Sequence, residues 1–306
     1  MNYPFKVKHN ISLTRISTFA IGGLAKNYVP VKSSSDLLKV LNFFHKTNID
    51  FRIFSGGSNI VFPDGGIKYH LIHLVGGQIK LSGHLLSVDA GILLSKVIAF
   101  SVKNSIKGLE NLSGIPGSLG GAVVGNAGAY GSSVSDNIKT VKIWNRGKIR
   151  ILTGKDCRFD YRESIFKKKP YVIISVAIET SHSKRKQLEK ISREIIKVRT
   201  AKYKTGLKCP GSFFKNILAK NLPPEILNKI NPQKIVYGKI PAGYLLESVG
   251  AKTMKKGYIE IAPFHGNLFI NKGRGTAKDV KELAQILKSK VYRKFGILLE
   301  EEIRYF

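Results

Sequence analysis

The sequence predicts an α+β fold, and three observations point to it. Apolar runs of strand length and amphipathic stretches of helix length follow one another without the regular alternation that builds a doubly wound sheet. The longest nearly uncharged apolar stretch, Tyr171 to Ile178, has the length of a buried strand and is far too short to span a membrane. From Gly108 to Gly131 the chain is so dense in glycine that it follows neither period.

A first segment is expected over 1–74. Ser33-Ser34-Ser35 ahead of Leu37, Leu38, Leu41 and Phe44 predicts an N-capped amphipathic helix. Phe51 to Phe54 and Ile60 to Phe62 predict strands on either side of the loop Ser55-Gly56-Gly57-Ser58-Asn59, and Asp64-Gly65-Gly66 predicts a turn. The second segment, 75–201, opens on a strand at Leu85 to Val88 and a helix at Leu93 to Val102. Strands return at Thr140 to Trp144, Ile149 to Leu152 and Tyr171 to Ile178. A basic helix from Lys186 to Ala201, with Leu188, Ile191, Ile195 and Val198 at helical spacing, leads into a third segment, 202–306. There Thr276 and Asp279 form a variant capping box ahead of the apolar stripe Val280, Leu283, Leu287 and Val291, and Gly296 stops the helix. Leu298 to Phe306 reads as a closing strand.

Composition narrows the function classes. Met1 to Asn10 holds no apolar run of signal-peptide length, so a soluble, cytoplasmic protein with no membrane partner is expected. A monomer is expected as well, although no residue pattern decides it. Cys157 and Cys209 make neither a disulfide framework nor a zinc site, and no metal is expected. The net charge of +31 raises nucleic acid as a partner. The lysines, however, are scattered along the chain, and Lys167-Lys168-Lys169 and Lys184-Arg185-Lys186 are short patches without interleaved aromatics. No nucleic-acid partner is expected; a positive field also attracts phosphorylated small molecules.

Two glycine-rich loops carry the functional signal. In Gly56-Gly57-Ser58-Asn59 the glycines let backbone N–H groups converge, and Ser58 and Asn59 add donors, a pattern suited to an anion and equally to a tight turn. The stretch Gly114-Ile115-Pro116-Gly117-Ser118-Leu119-Gly120-Gly121-Ala122, followed by Asn126-Ala127-Gly128-Ala129-Tyr130-Gly131, implies that another backbone or a flat ligand comes very close. Spacing alone does not choose between the two.

Together these segments resemble the UDP-N-acetylenolpyruvoylglucosamine reductase family. Gly108-Leu109-Glu110 with the two glycine stretches after it resembles that family's flavin-binding segment. The loop at Gly56 resembles its diphosphate loop, and Thr18-Phe19-Ala20-Ile21-Gly22-Gly23 resembles its N-terminal signature. Ser55 stands where the family usually has a further glycine. The resemblance runs from Thr18 to Arg304. It implies a vanillyl-alcohol-oxidase/PCMH-type FAD-binding fold of two subdomains, 1–74 and 75–201, and an α+β substrate domain over 202–306. FAD is then the cofactor, held noncovalently, with NADPH as hydride donor and a UDP-sugar as substrate. Gly56, Gly57, Ser58, Asn59, Gly114, Ile115, Pro116, Gly117, Ser118, Gly121, Asn126 and Ala127 would line the flavin.

The reaction implied is reduction of an enolpyruvyl ether, a step of peptidoglycan synthesis. It needs a cation facing the substrate carboxylate, where negative charge spreads, and a proton donor for the neighbouring carbon. Tyr161-Arg162-Glu163-Ser164 resembles the family's tyrosine–arginine element, so Arg162 would hold the carboxylate and Tyr161 would lie against the substrate. Gly211-Ser212-Phe213-Phe214-Lys215-Asn216 resembles its catalytic serine loop, making Ser212 the proton donor. Asn216 would reach the sugar phosphate region if this loop opens a helix. In Leu299-Glu300-Glu301-Glu302-Ile303-Arg304 the match selects Glu302, and a strand would put Glu300 on its face and Glu301 opposite. Lys239, in Lys239-Ile240-Pro241-Ala242-Gly243-Tyr244-Leu245-Leu246-Glu247, and His265, in His265-Gly266-Asn267-Leu268-Phe269-Ile270-Asn271, would bind the UDP-sugar. The family's larger subtype inserts a tyrosine-bearing loop after the arginine element. Here Phe166 runs through three lysines and Pro170 into a strand, which implies the shorter subtype. A different FAD oxidoreductase of the same fold is the alternative, disfavoured by Ser212 with Glu302.

Overall fold

The computed structural model describes residues 2–203 and 206–306. They fall into two compact units, one of residues up to 11, 25–56 and 67–201, the other of 12–24, 57–66 and 202–306. Residues 12–24 and 57–66, read in sequence as part of the first segment, thus group with the C-terminal third.

Two larger sheets organise the first unit. In one, strands Leu24–Val31 and Phe51–Phe54 both pair parallel with Ile67–Leu74. In the other, five antiparallel strands run in the order Lys148–Thr153, Ile138–Asn145, Val172–Glu179, Leu85–Asp89, Ile79–Ser82. The nearly uncharged apolar stretch that forms the strand Val172–Glu179 is explained by its central place. Helices Ser34–Lys46 and Leu119–Val124 both contact it, and Val172, Ile173, Ile174, Val176 and Ile178 are all buried. At the edge, by contrast, Ile151 is 67% exposed. The helix Ser34–Lys46 starts as expected: Ser33 Oγ accepts from Asp36 N–H, and Leu37, Leu41 and Phe44 are buried.

The basic helix forms over Arg185–Lys202, and its expected stripe holds except at the last position. Leu188 is buried whereas Val198 is 57% exposed. Ser192 Oγ hydrogen-bonds Ser113 Oγ at 2.8 Å, and the Arg199 side chain lies against Gly114. Leu188, Ser192, Ile195 and Arg199 share one helical face, so polar anchors sit beside the half-buried Ile191 and Ile195, and Arg199 is partly covered where Val198 is not.

Next to the first glycine loop sits a half-buried histidine. His73 stacks on Phe54 at 4.1 Å between ring centroids, and its Nδ1 meets the Tyr28 hydroxyl at 2.6 Å. Burial pushes its pKa down to about 4, opposed by a backbone hydrogen bond with Ser55. A lowered folded-state pKa means that the unfolded chain binds more protons between about 4 and 6.5. This stabilisation is therefore complete above about 6.5 and is lost as pH falls toward 4. The loss expected from His73 at pH 5 is about 2 kcal/mol. Burial also lowers the pKa of His70, which adds to the same slope. Denaturant midpoints at pH 7 and pH 5 check this: His73→Gln should lose less stability on acidification than the wild type, and an equal loss contradicts it.

In the second unit the helix Ala277–Phe295 follows the sequence closely. The capping box at Thr276 and Asp279 forms, Gly296 adopts φ 74°, and Val280, Leu283, Leu287 and Val291 are buried. Each such side chain contributes roughly 2 kcal/mol of burial. Asp64 reinforces the cap, accepting from Ala277 N–H at 2.7 Å and Lys278 N–H at 3.2 Å. The N-terminal signature packs here too. Phe19 and Ile21 are buried, and Asn271 Nδ2 donates to the carbonyls of Phe19 and Ala20 at 3.0 Å each. Of the expected closing strand only Arg304–Tyr305 forms a ladder, parallel to Ile60–Val61. The rest is extended chain held by single bonds. No helix among the described residues is long and apolar enough to cross a membrane.

Candidate active site

The residues singled out in sequence form two groups, one in each unit. In the first unit the two glycine loops touch. A Cβ on Gly56 would lie 2.5 Å from Gly117 Cα, so backbone meets backbone and only glycine fits. Gly117 also adopts φ 104°. Ser118 caps the short helix Leu119–Val124 by accepting from Gly121 N–H at 3.2 Å, while Gly120 packs on Ala90. Close packing or positive φ thus accounts for Gly56, Gly117 and Gly120.

It does not account for Gly121 and Gly125. Neither has positive φ, and a Cβ there would meet nothing closer than Ser118 Oγ at 3.5 Å and the Gly121 carbonyl at 3.7 Å. Four residues apart, they leave a strip without side chains on one face. A flat ligand laid against backbone fits such a strip. Gly125 was not among the residues expected to touch the cofactor; its i, i+4 spacing from Gly121 was the available signal.

Asn126 is buried with φ 40°, its Nδ2 donating to the Asp160 carbonyl at 2.9 Å and its Oδ1 accepting from Ser135 N–H at 3.3 Å. The Ala127 N–H donates to the Ala122 carbonyl at 2.8 Å. Tyr161 and Arg162 form the tip of a tight turn closed by two hydrogen bonds between Asp160 and Glu163, at 3.1 and 3.0 Å. The turn holds Arg162 at φ 56°. From there Nη1 donates to the Asn126 carbonyl at 3.4 Å and Nη2 to the Gly128 carbonyl at 3.0 Å. The guanidinium also lies over the Tyr161 ring at 5.6 Å. Lys167 Nζ reaches the Arg162 carbonyl at 2.5 Å and Glu163 at 3.3 Å, a bracing role that sequence reasoning missed. The arginine element is therefore docked on the second glycine stretch.

In the second unit Gly57 has φ 60°, and a Cβ there would meet the Ile16 carbonyl at 2.4 Å; its own carbonyl accepts from Thr18 N–H at 3.0 Å. Asn59 Nδ2, expected as an anion donor, donates to the Glu302 carbonyl at 3.0 Å, and Arg304 N–H returns to the Asn59 carbonyl at 3.0 Å.

The serine loop does not open a helix; it runs extended into the strand Ile217–Leu218. The reason lies in its partners. Phe213 N–H donates to the Asn267 carbonyl at 3.0 Å, and Asn267 makes paired amide bonds with the Phe214 backbone at 2.8 Å each. On the opposite side Glu302 N–H donates to the Phe213 carbonyl at 2.8 Å, and Lys215 N–H donates to the Glu300 carbonyl at 2.9 Å. The backbone of Glu302 is thereby held against Phe213, the residue after Ser212. Asn216, expected one helical turn on, instead accepts from Ala242 N–H at 3.1 Å, at the start of the helix Ala242–Glu247. Lys239 lies on the short strand Lys239–Ile240, paired with Ile217–Leu218. His265 Nδ1 accepts from Asn267 N–H at 3.0 Å.

Two of the three successive glutamates pair with different lysines. Glu300, with a side chain 70% exposed, pairs with the buried Lys215 at 2.5 Å, and Glu301 pairs with Lys288 at 2.5 Å. Two further residues carry weight here. Asn267 is buried and fixes the loop, and the Tyr203 hydroxyl lies 2.9 Å from Ser212 Oγ. Tyr203 carried no sequence signal. Burial raises the Cys209 thiol pKa, which argues against a reactive thiolate, and burial of Cys157 pushes its thiol up to about 12. Among the described residues no cluster could hold a metal.

Comparison with known proteins bears on both units. Residues 202–306 match the UDP-N-acetylenolpyruvoylglucosamine reductase C-terminal domain, and residues 25–152 match an FAD binding domain. The UDP-N-acetylenolpyruvoylglucosamine reductase of Solibacter usitatus is 35% identical over 300 residues, 98% of this chain and 96% of that protein. That of Alkaliphilus oremlandii is 31% identical over 291 residues, covering 94% and 89%. The crystal structure of UDP-N-acetylenolpyruvylglucosamine reductase from Thermus caldophilus superposes with a TM-score of 0.77 at 25% identity, covering 98% of this chain and 99% of the other.

Proposed function

The chain belongs to the UDP-N-acetylenolpyruvoylglucosamine reductases, and from that membership we propose how its own residues share the reaction. It is an FAD-dependent oxidoreductase that uses NADPH to reduce UDP-N-acetylglucosamine enolpyruvate to UDP-N-acetylmuramate in peptidoglycan synthesis. Its fold is the expected α+β FAD-binding fold of vanillyl-alcohol-oxidase type with a C-terminal α+β domain.

The residue roles follow from the chemistry. Gly56, Gly57, Ser58 and Asn59 hold the diphosphate of FAD. Gly114, Ile115, Pro116, Gly117, Ser118, Gly121, Asn126 and Ala127 hold the rest of it, the bare strip at Gly121 and Gly125 admitting a flat ring system. Bound FAD supplies hydride to the terminal carbon of the enolpyruvyl double bond. Arg162 holds the substrate carboxylate, onto which the resulting charge spreads. Ser212 gives a proton to the neighbouring carbon, and Glu302, fixed by backbone onto Phe213, acts beside that hydroxyl as a second group able to hold a proton. Tyr161, Asn216, Lys239 and His265 position the UDP-sugar. The observation that carries this division is the docking of Arg162 on the carbonyls of Asn126 and Gly128, because it fixes a cation on the glycine stretch assigned to the flavin.

The assignment of 1–74 and 75–201 as the two flavin subdomains and 202–306 as the substrate domain, with the last residues returning Glu302, belongs to the same proposal. So does the shorter subtype, supported by the direct passage from the turn Ile165–Lys167 to the strand Val172–Glu179. A monomer in the cytoplasm, with no nucleic-acid partner, is the setting we infer; lysines spread over the chain rather than gathered in a tail support the last of these.

NADPH oxidation that requires the enolpyruvyl UDP-sugar tests this function; consumption indifferent to that sugar counts against it. The flavin is expected to be noncovalent, since neither glycine loop contains a histidine or cysteine to tether it. Acid precipitation should release all yellow colour to the supernatant, and flavin retained in the pellet refutes a noncovalent cofactor.

A further inference from the structure

We propose that Tyr203 is a positioning residue for Ser212, aiming its hydroxyl proton away from the tyrosine and replacing that proton once it is given up. The inference rests on the assignment of Ser212 as proton donor. Its own support is a contact that assignment does not use: the Tyr203 hydroxyl lies 2.9 Å from Ser212 Oγ.

The two side chains are fixed by one piece of backbone. Tyr203 packs against the buried cluster of Ala262, Leu268 and Ile270, while Ser212 bridges Leu268 through its main chain. The ring also lies against His265, at 6.1 Å between centroids. The phenol therefore approaches Oγ from a set direction.

A serine hydroxyl has one proton on a freely turning bond and two lone pairs. If the phenol donates to Oγ, it occupies one lone pair, and the serine proton must point elsewhere. The hydroxyl is then oriented before substrate arrives.

The same hydrogen bond solves the charge problem of a serine acid. An aliphatic alkoxide is far less stable than a phenolate, whose parent phenol ionises near pH 10. As the serine O–H breaks and a C–H bond forms at the substrate carbon, the Tyr203 O–H breaks and a new O–H forms on Ser212. Serine ends neutral, the tyrosine ends as phenolate, and solvent water returns one proton to it. No oxidant or reductant beyond the hydride already delivered is involved.

The test is Tyr203→Phe in the FAD-loaded enzyme, which keeps the ring and removes the oxygen. Enzyme reduced by NADPH is mixed with the enolpyruvyl UDP-sugar, and flavin reoxidation is followed in mixtures of H2O and D2O, with Ser212→Ala in parallel. Flavin content and the rate of reduction by NADPH, which needs no proton from this pair, serve as controls. We expect Tyr203→Phe to reoxidise about 10-fold more slowly. We also expect the dependence on deuterium fraction to be curved in the wild type, where two protons move, and linear in the variant, where one does. A tyrosine needed only for packing predicts unchanged rate and curvature, and that result overturns the proposal. If Ser212→Ala is crippled while Tyr203→Phe matches wild type, the tyrosine's role alone fails. If Ser212→Ala also reoxidises normally, the serine assignment falls with it.

Discussion

Ser212→Ala is expected to leave flavin reduction by NADPH near its wild-type rate and to slow reoxidation by the enolpyruvyl substrate about 10²-fold or more. The asymmetry follows from where the proton is needed. Hydride transfer from NADPH to the flavin calls on no group of the serine loop, whereas the second half-reaction leaves a carbanion that must be protonated. The loop itself should survive the change. Its backbone is stitched to Asn267 on one side and to Glu300 and Glu302 on the other, and none of those bonds uses Ser212 Oγ. Stopped-flow absorbance of the flavin separates the two halves. Equal slowing of both would mark Ser212 as a structural residue.

Arg162→Lys should also be far from conservative, slowing reoxidation roughly 10-fold, with Arg162→Ala slower still by about 10²-fold or more. The turn that carries Arg162 holds it at φ 56°, a conformation that strains arginine and lysine alike, so backbone cost cancels between them. What differs is the head group. A guanidinium has five N–H donors in a plane, enough to anchor on the carbonyls of Asn126 and Gly128 and still grip a carboxylate through two parallel bonds. An ammonium offers the charge without fixing the carboxylate plane. The interaction strengthens as the carboxylate gains enolate character, so the rate should fall more than substrate affinity does. Single-turnover reoxidation alongside a spectral titration of the flavin with substrate makes the comparison. A lysine variant with wild-type turnover would show that charge alone suffices.

What could be read from the sequence was set by local physics. Ser33 and the Thr276–Asp279 box cap their helices because capping depends on residues three apart. Val172–Glu179 announced its burial through a stretch in which Ser175 is the one polar residue before Glu179. Misreadings arose where distant chain decides the outcome. After Gly211 the Ser212 loop contains nothing hostile to a helix, yet Asn267 and the 300–302 segment claim its backbone and hold it out of one. The basic helix shows four aliphatic residues at helical spacing, but the last, Val198, is exposed, while Ser192 and Arg199 find partners at Ser113 and Gly114. For the site, glycine composition could not separate backbone packing from ligand approach. Coordinates divide the two, giving Gly56 and Gly120 to packing and leaving Gly121 and Gly125 bare. Tyr203 was out of reach, because a tyrosine nine residues before a serine has no local pattern that joins them.

The account as a whole stands on one anaerobic measurement. Purified FAD-loaded enzyme is mixed with NADPH until the flavin absorbance bleaches, and the enolpyruvyl UDP-sugar is then added in the absence of oxygen. The account predicts full bleaching, followed by return of the oxidised flavin spectrum with formation of one UDP-N-acetylmuramate per flavin. Flavin that bleaches with NADPH but stays reduced when the enolpyruvyl UDP-sugar is added would contradict it.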